Sequence, residues 1–353
     1  MGMHKKWTKK LFILITVSIV LIGLLNVLID PYGVFGRNPN SCSEPNERYV
    51  KMTYLSNHPD AFDGFLMGSS RIGSTEPSLL KNHFPKNKFY NLTISAGTLG
   101  EFEEMIETMI KARIKPRVIY LQIDVYDNLL TYKNERSKLL LRMKPENSLK
   151  EKIAFFKDYL LLLPNNTNTI QQMKLDLGIH KRSSRYDFYS TGCWYADAKE
   201  KNIRQNPLLY VKNEETFHKF FNKTIPSNQI VMMKNLESLR KIKQLSYDNN
   251  IQLILFVTPH NHKMLDAIGM HAYKIFLQSL AEVTEYWDFS GYNSVTVNDL
   301  NYYEYSHYRP HVAKWIVSRI FKDTNTSIPD DFGVYVSKKN ILKHLENIEQ
   351  KNH

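Results

Sequence analysis

Gly64-Phe65-Leu66-Met67-Gly68-Ser69-Ser70-Arg71 is a short apolar run that stops abruptly in small residues. Such a run, closed by a glycine and two serines, predicts a buried strand followed by a tight turn. A turn of this kind exposes a side chain at the edge of a sheet. The sequence downstream repeats the alternation. Residues 88–94 read as a second strand, and Phe102, Met105, Ile106, Met109 and Ile110 recur at helical spacing. Pro116 ends that helix, and Val118-Ile119-Tyr120-Leu121-Gln122-Ile123 follows as a third strand. Residues 230–247 predict a long helix feeding a continuous apolar strand, 251–257, which Thr258-Pro259 stops. A last helix-to-strand unit covers residues 273–289. Continuous apolar strands separated by helices predict an α/β fold with a mainly parallel sheet covered on both faces. Ligands of such sheets bind beyond the carboxyl ends of the strands, so the chemistry is expected there.

The chain has 353 residues, 42% hydrophobic and 23% charged, which is ordinary for a globular protein and argues against full-length disorder. That length allows about two domains, or one large domain with insertions. Two cysteines exclude a disulfide-built scaffold and a four-cysteine zinc site. No segment repeats at a solenoid period. Lys and Arg number 47 against 35 Asp and Glu, a net charge of +12. Lys5, Lys6, Lys9 and Lys10 precede the first acidic residue, Asp30, and removing them leaves +8. The sequence has no dense basic stripe, zinc finger or RNA-binding aromatic motif. The charge therefore suits a basic domain near an anionic surface, and no nucleic-acid partner is expected.

Residues 11–29, LFILITVSIVLIGLLNVLI, carry no charge. As a helix rising about 1.5 Å per residue they reach about 28 Å, close to the hydrocarbon thickness of a bilayer. The run is longer than the apolar core of a cleaved signal peptide, and Asp30-Pro31-Tyr32 follows it with no Ala-x-Ala site. It is apolar on every face, unlike an ordinary core helix. The reading is an uncleaved transmembrane signal anchor. The lysines before it keep the N-terminus in the cytoplasm and put residues 31–353 on the periplasmic or cell-surface side of the cytoplasmic membrane.

The expected organisation is a cytoplasmic N-terminus (1–10), the span (11–29), a Pro-, Asn- and Ser-rich tether (30–60), an α/β domain (61–330) and a C-terminal helix and tail (331–353). Residues 131–228 break the alternation and read as an insertion, either a cap over the site or a plain structural excursion. Ile341, Leu342, Leu345 and Ile348 mark the C-terminal helix as amphipathic. Cys42 and Cys193 would sit in an oxidising space, either paired or as free thiols, and their separation in sequence decides neither.

Two patterns carry chemistry. Ser70, on the turn after the first strand, becomes a nucleophile if a base activates it. Gly-Ser-Ser turns also bind phosphate or cap helices. Near the other end, Tyr303-Glu304-Tyr305-Ser306-His307-Tyr308-Arg309-Pro310 puts a carboxylate three residues before a histidine. On a loop, which Pro310 and the tyrosines favour, the acid orients the imidazole as a general base. On a helix the same spacing is a surface pair or a metal-ligand pair.

Together with Asp30-Pro31-Tyr32-Gly33-Val34-Phe35 and Asn46-Glu47-Arg48-Tyr49-Val50-Lys51, these pieces resemble the SGNH (GDSL-like) hydrolase superfamily, in its membrane-anchored bacterial form. The resemblance covers residues 10 to about 340, apart from the insertion. It extends distantly to teichoic-acid D-alanyl transfer proteins, which share Ser69 in place of the family's Asp. It implies a flavodoxin-like, three-layer α/β/α sandwich with Ser70 as nucleophile, His307 as base and Glu304 where the family has Asp. Gly97, in Asn91-Leu92-Thr93-Ile94-Ser95-Ala96-Gly97-Thr98, matches the glycine whose N–H joins that of Ser70 in an oxyanion hole. The third block departs from the family. Asp124 stands nearest the expected Asn, and an ionised carboxylate only accepts hydrogen bonds. Losing one oxyanion donor costs on the order of 10²–10³ in rate.

Other residues have two readings each. Asn91, Asp124 and Asp288 either meet substrate or hold structure, and Ser69 supports the turn. Arg71 and Arg309 hold an anionic substrate or form solvated salt bridges. His260 and His262 are placed to line the cleft, but no third metal ligand accompanies them, and neither metal nor other cofactor is expected. His83 and His311 read as surface or packing residues. The resemblance implies an esterase or O-acyltransferase that adds or removes acetyl or alanyl esters on a cell-envelope glycan. The alternatives are a catalytically degenerate accessory to a polytopic membrane O-acyltransferase, and a phosphate- or glycan-binding module using Gly68-Ser69-Ser70 as an anion turn.

Overall fold

The computed structural model describes residues 2–133, 148–163, 165–182, 184–218 and 228–350. Its strands are β1 Gly64–Met67, β2 Phe89–Asn91, β3 Val118–Ile123, β4 Arg185–Tyr186, β5 Trp194–Tyr195, β6 Gln252–Val257, β7 Tyr286–Asp288 and β8 Val334–Val336. The helices begin with α1 Gly2–Ile29, α2 Glu47–Asn57, α3 Leu99–Lys111, α4 Val125–Leu130, α5 Leu149–Leu160, α6 Thr167–Asp176 and α7 Asp197–Gln205. They continue with α8 Pro207–Asn213, α9 Gln229–Asp248, α10 His262–Ile268, α11 Met270–Val283, α12 Pro310–Ile320 and α13 Ile341–Gln350.

The chain forms two compact units, residues 1–53 with 136–182, and residues 54–135 with 183–353. The stretch 131–228, expected as one insertion, divides between them. Parts of it, residues 134–147 and 219–227, lie outside the described residues.

The larger unit is α/β. Its six-stranded sheet runs in the order β2-β1-β3-β6-β7-β8, parallel at every pairing except β7 with β8. Helices flank it. β1 lies between β2 and β3, with Phe65 level with Tyr90 on one side and Ile119 on the other. Phe65, Leu66, Met67, Ile119, Leu121 and Ile123 are fully buried, as strands covered on both faces must be. The helical stripe Phe102, Met105, Ile106 and Met109 of α3 is buried, and α3 packs against α9. The Glu101 carboxylate accepts the Thr98 N–H at 3.3 Å and helps start α3. Elsewhere in this unit Leu66, Tyr120, Phe256 and Phe289 meet Val312 and Ile316 of α12 in a second apolar layer.

The edge strand β8 and the β4–β5 hairpin carried no sequence signal. Each is two or three residues long, too short for a period-2 pattern. In α13, Ile341, Leu345 and Ile348 are buried, while Leu342 is 63% exposed and falls off the stripe.

The smaller unit begins with α1. Residues 6–29 of α1 are long and apolar enough to cross a membrane, which fits an anchor and a signal sequence alike. Residues 30–53, expected as part of a tether, are folded. The Asp30 carboxylate accepts the N–H groups of Val34, Phe35 and Arg37 at 2.9, 2.8 and 3.1 Å. Gly33, with φ +67°, makes the turn that brings them round. Tyr32 and Val34 then pack on Phe155 and Tyr159. The polar and proline residues that suggested a tether are turn residues.

Both cysteines are buried free thiols. Cys42 Sγ donates to Asp30 O at 3.4 Å and Cys193 Sγ to Thr75 O at 3.3 Å. Burial pushes the Cys42 thiol up to about 12.

The hairpin docks on the turn after β1 through a glycine. A Cβ on Gly73 would lie 2.0 Å from Trp194 Nε1, and Trp194 N–H donates to Gly73 O at 3.0 Å. Gly73→Ala is expected to push the indole off the turn at a cost of about 1–3 kcal/mol, read as a lower midpoint in thermal unfolding.

Candidate active site

Ser70 begins a single 3-10 turn, Ser70–Ile72, directly after β1. Buried side chains hold that turn from below. Asn91 Nδ2 donates to Ile72 O, Gly73 O and Thr75 O at 2.9, 3.3 and 3.0 Å. Thr93 Oγ1 donates to Ser69 O at 2.6 Å. Asn91 is therefore a strut for the turn, with every amide hydrogen committed to the protein. Trp194 Nε1 donates to Ser70 O at 3.0 Å from the hairpin side.

His307 and Glu304 sit on a loop between Tyr302 and Tyr308, which pair as an isolated antiparallel bridge. Both tyrosines are buried and anchor the loop. Tyr303 N–H donates to His307 O at 2.8 Å, and Pro310 opens α12 just beyond. The Glu-x-x-His spacing thus lies on a loop. Ser70 Oγ is 2.8 Å from His307 Nε2. His307 Nδ1 bonds Glu304 Oε1, which also accepts the His307 backbone N–H at 2.8 Å. A serine hydroxyl, an imidazole and a carboxylate thus stand in one hydrogen-bonded series, assembled from residues more than 230 positions apart, an order in which a base can activate a hydroxyl. Trp194 meets the His307 ring edge-on, with centroids 5.4 Å apart.

Burial alone would raise the Glu304 carboxyl. The hydrogen bond and charge of His307, with the ammonium of Lys199, outweigh burial and hold it at about 2. Lys199 Nζ lies 2.9 Å from Glu304 Oε2 and 3.8 Å from Glu214. The neighbouring Glu200 takes Arg309 through Nη2 at 2.9 Å and Nε at 3.2 Å, and accepts the Tyr303 hydroxyl at 3.1 Å. Consecutive residues of α7 thus grip the loop that carries His307 at both ends. Sequence reading missed Trp194, Lys199 and Glu200. No local pattern links them to residues about 100 positions later.

The oxyanion side is less complete than the resemblance implied. The Ser70 backbone N–H has no acceptor among the described residues. Gly97, expected as the second donor, gives its N–H to Ile94 O at 3.2 Å. It is a glycine for packing: a Cβ there would lie 2.6 Å from Phe102 and 2.7 Å from Ile94.

Asp124 belongs to a buried ionic cluster. Its carboxylate bonds Arg71 Nη1, accepts Ser69 Oγ–H at 3.0 Å and the Asp127 N–H at 3.0 Å, and meets His260 Nε2 at 3.3 Å. Arg71 also meets Asp127 at 2.9 Å. Burial would raise Asp124, but the charge of Arg71 and the hydrogen bond from His260 outweigh it and hold the carboxyl well below the usual carboxylate range. Burial and the Asp124 charge push Asp127 up, and burial pushes His260 down towards the neutral imidazole. Arg71 is therefore in a buried ion network, where a substrate contact or a solvated salt bridge was expected. Arg309 is taken up by Glu200.

The remaining predicted residues are structural. Asp288 is buried, bonded to Ser290 and to His344 of α13 at 2.7 Å. His262 Nδ1 faces Thr296 O at 3.4 Å, away from the partner of His260. His83 stacks on Phe321 at 4.3 Å, and His311 meets Asn301 at 2.9 Å, with burial lowering it to about 4.

The sequence matches no protein-family model, and no curated protein matches it significantly.

Two variants read this geometry. Arg71→Leu leaves Asp124 buried without its main counter-charge and should destabilise the protein by about 3–5 kcal/mol in denaturant unfolding. Lys199→Met removes one of the charges that hold the Glu304 carboxyl low, so that carboxyl should titrate at a higher pH than in the wild type, while Lys199→Arg keeps the wild-type value.

Proposed function

We propose that this chain is a membrane-anchored, extracytoplasmic serine esterase or O-acyltransferase of SGNH type, acting on acyl esters of a cell-envelope glycan. The observation that carries the reading is the Ser70–His307 contact at 2.8 Å with Glu304 on the far side of the imidazole. Ser70 Oγ attacks the acyl carbonyl as His307 Nε2 takes its proton. The tetrahedral intermediate collapses, the ester C–O bond breaks, and His307 returns the proton to the leaving alkoxide. Water or a sugar hydroxyl then attacks the acyl-enzyme, with His307 again the base, and Ser70 is regenerated. Glu304 stays ionised throughout and fixes the tautomer that leaves Nε2 free to accept. The glycan and the acetyl or alanyl group come from the compartment reading and the family resemblance.

A second reading is an accessory of a polytopic membrane O-acyltransferase. One observation favours it: with Gly97 bonded to Ile94 and a carboxylate at Asp124, the backbone donor left to the oxyanion site among the described residues is that of Ser70. The phosphate- or glycan-binding module keeps no such support, because Ser70 faces a histidine.

Labelling the full chain in detergent with a fluorophosphonate separates these readings. The probe forms a Ser–O–P bond with loss of fluoride. Labelling should vanish in Ser70→Ala and slow by about 10²–10⁴ in His307→Ala. A folded wild type that does not label supports the accessory role, and labelling that survives Ser70→Ala removes Ser70 as nucleophile.

A further inference from the structure

The last turns of α1 carry features that a plain span does not need. Asn26 is buried, and its Nδ2 donates to both Leu160 O and Leu162 O at 2.8 Å. One turn earlier, Gly23 makes room for the same segment. A Cβ there would lie 3.9 Å from Leu160 O and 4.0 Å from Leu160 Cδ2. The segment is Leu160-Leu161-Leu162-Leu163, the connection leaving α5, and its Leu161 and Leu163 are 45% and 62% exposed.

Depth follows from helix geometry. Gly23 lies six residues before Ile29, or about 9 Å along the axis. With residues 11–29 filling a hydrocarbon layer of about 30 Å, Gly23 is inside it, and so is the chain that touches Gly23. Exposed leucines at that depth meet acyl chains. The final carbonyls of a helix have no intrahelical donor, and hydrocarbon offers them none. Asn26 supplies the donor for the last carbonyl of α5 and for that of Leu162 on the turn after it, which accounts for a polar residue at this point of an apolar run. Lys157 lies less than one turn before Leu160, exposed, and its long stem lets the ammonium extend towards the headgroup layer.

We propose that the turn at residues 160–163 inserts beside α1 into the leaflet that α1 exits, with Leu161 and Leu163 in contact with phospholipid acyl chains. This rests on the reading of α1 as a membrane anchor. It gives the smaller unit a second, monotopic contact with the bilayer, fixed to the span by Asn26.

The test places a nitroxide at Leu163→Cys in the full chain, reconstituted in nanodiscs of pure phospholipid. Leu21→Cys, on α1, serves as the lipid reference. Tyr247→Cys, on α9 and 82% exposed, serves as the aqueous reference. Cys42 and Cys193 are buried, and the wild type treated with the same reagent gives the background. Collision rates with oxygen and with a water-soluble nickel chelate are compared. The Leu163 label should lose nickel accessibility to the level of Leu21 and gain oxygen accessibility. A Leu163 label that behaves like Tyr247 while Leu21 stays lipid-like overturns the insertion alone. Aqueous behaviour at both Leu163 and Leu21 overturns the anchor and the insertion with it.

Discussion

A buried guanidinium ties the adjacent strands β1 and β3 of the larger unit together at their carboxyl ends. Arg71 leaves the turn after β1 and lodges between Asp124 and Asp127, which follow β3. A charge at that depth is tolerated only with its counter-charge in place and the remaining oxygens bonded. Ser69, His260 and the N-terminus of α4 complete those bonds. The arrangement leaves the turn little freedom, and Ser70 is the residue between the two that are buried. Its hydroxyl is presented to His307 because its neighbours are fixed from beneath.

The partner loop is fixed by different means. Buried Tyr302 and Tyr308 close it, and α7 grips it from outside through Lys199 and Glu200. Trp194 touches both halves, bonding the Ser70 carbonyl and meeting the His307 ring. Residues 184–218 are therefore part of the site's architecture. A serine, histidine and carboxylate in one hydrogen-bonded series need such supports, because hydrogen bonds weaken steeply when distance or angle departs from the optimum.

The smaller unit solves another problem. A chain leaving an apolar helix has to satisfy its backbone at the point of exit. Asp30 does so with three backbone N–H groups, while Asn26 does so for the carbonyls of a segment 134 residues away. The Asp-Pro-Tyr-Gly turn and the aromatic cluster of Tyr32, Phe155 and Tyr159 turn the expected tether into a folded base.

Local pattern sufficed for the elements that express themselves locally. The continuous apolar runs at β1 and β3 bury both faces, and β6 does so over its second half, so their composition alone announced a mainly parallel sheet. The stripe of α3 and the charge-free run of α1 were equally legible, because periodicity and length are properties of contiguous residues. Ser70 and the Glu304–His307 pair were readable as short patterns at strand and loop ends. The sequence could not decide which neighbours those patterns would meet. Gly97 was expected to point its N–H at an oxyanion, but the backbone turn sends it to Ile94. Asn91 and Asp288 had two readings until burial chose the structural one, and Arg71 took neither of its two, entering a buried ion network. Lys199, Glu200 and Trp194 reach the site only because an irregular stretch folds back on it. Contacts between distant segments depend on how their surfaces pack, and no period or propensity encodes them.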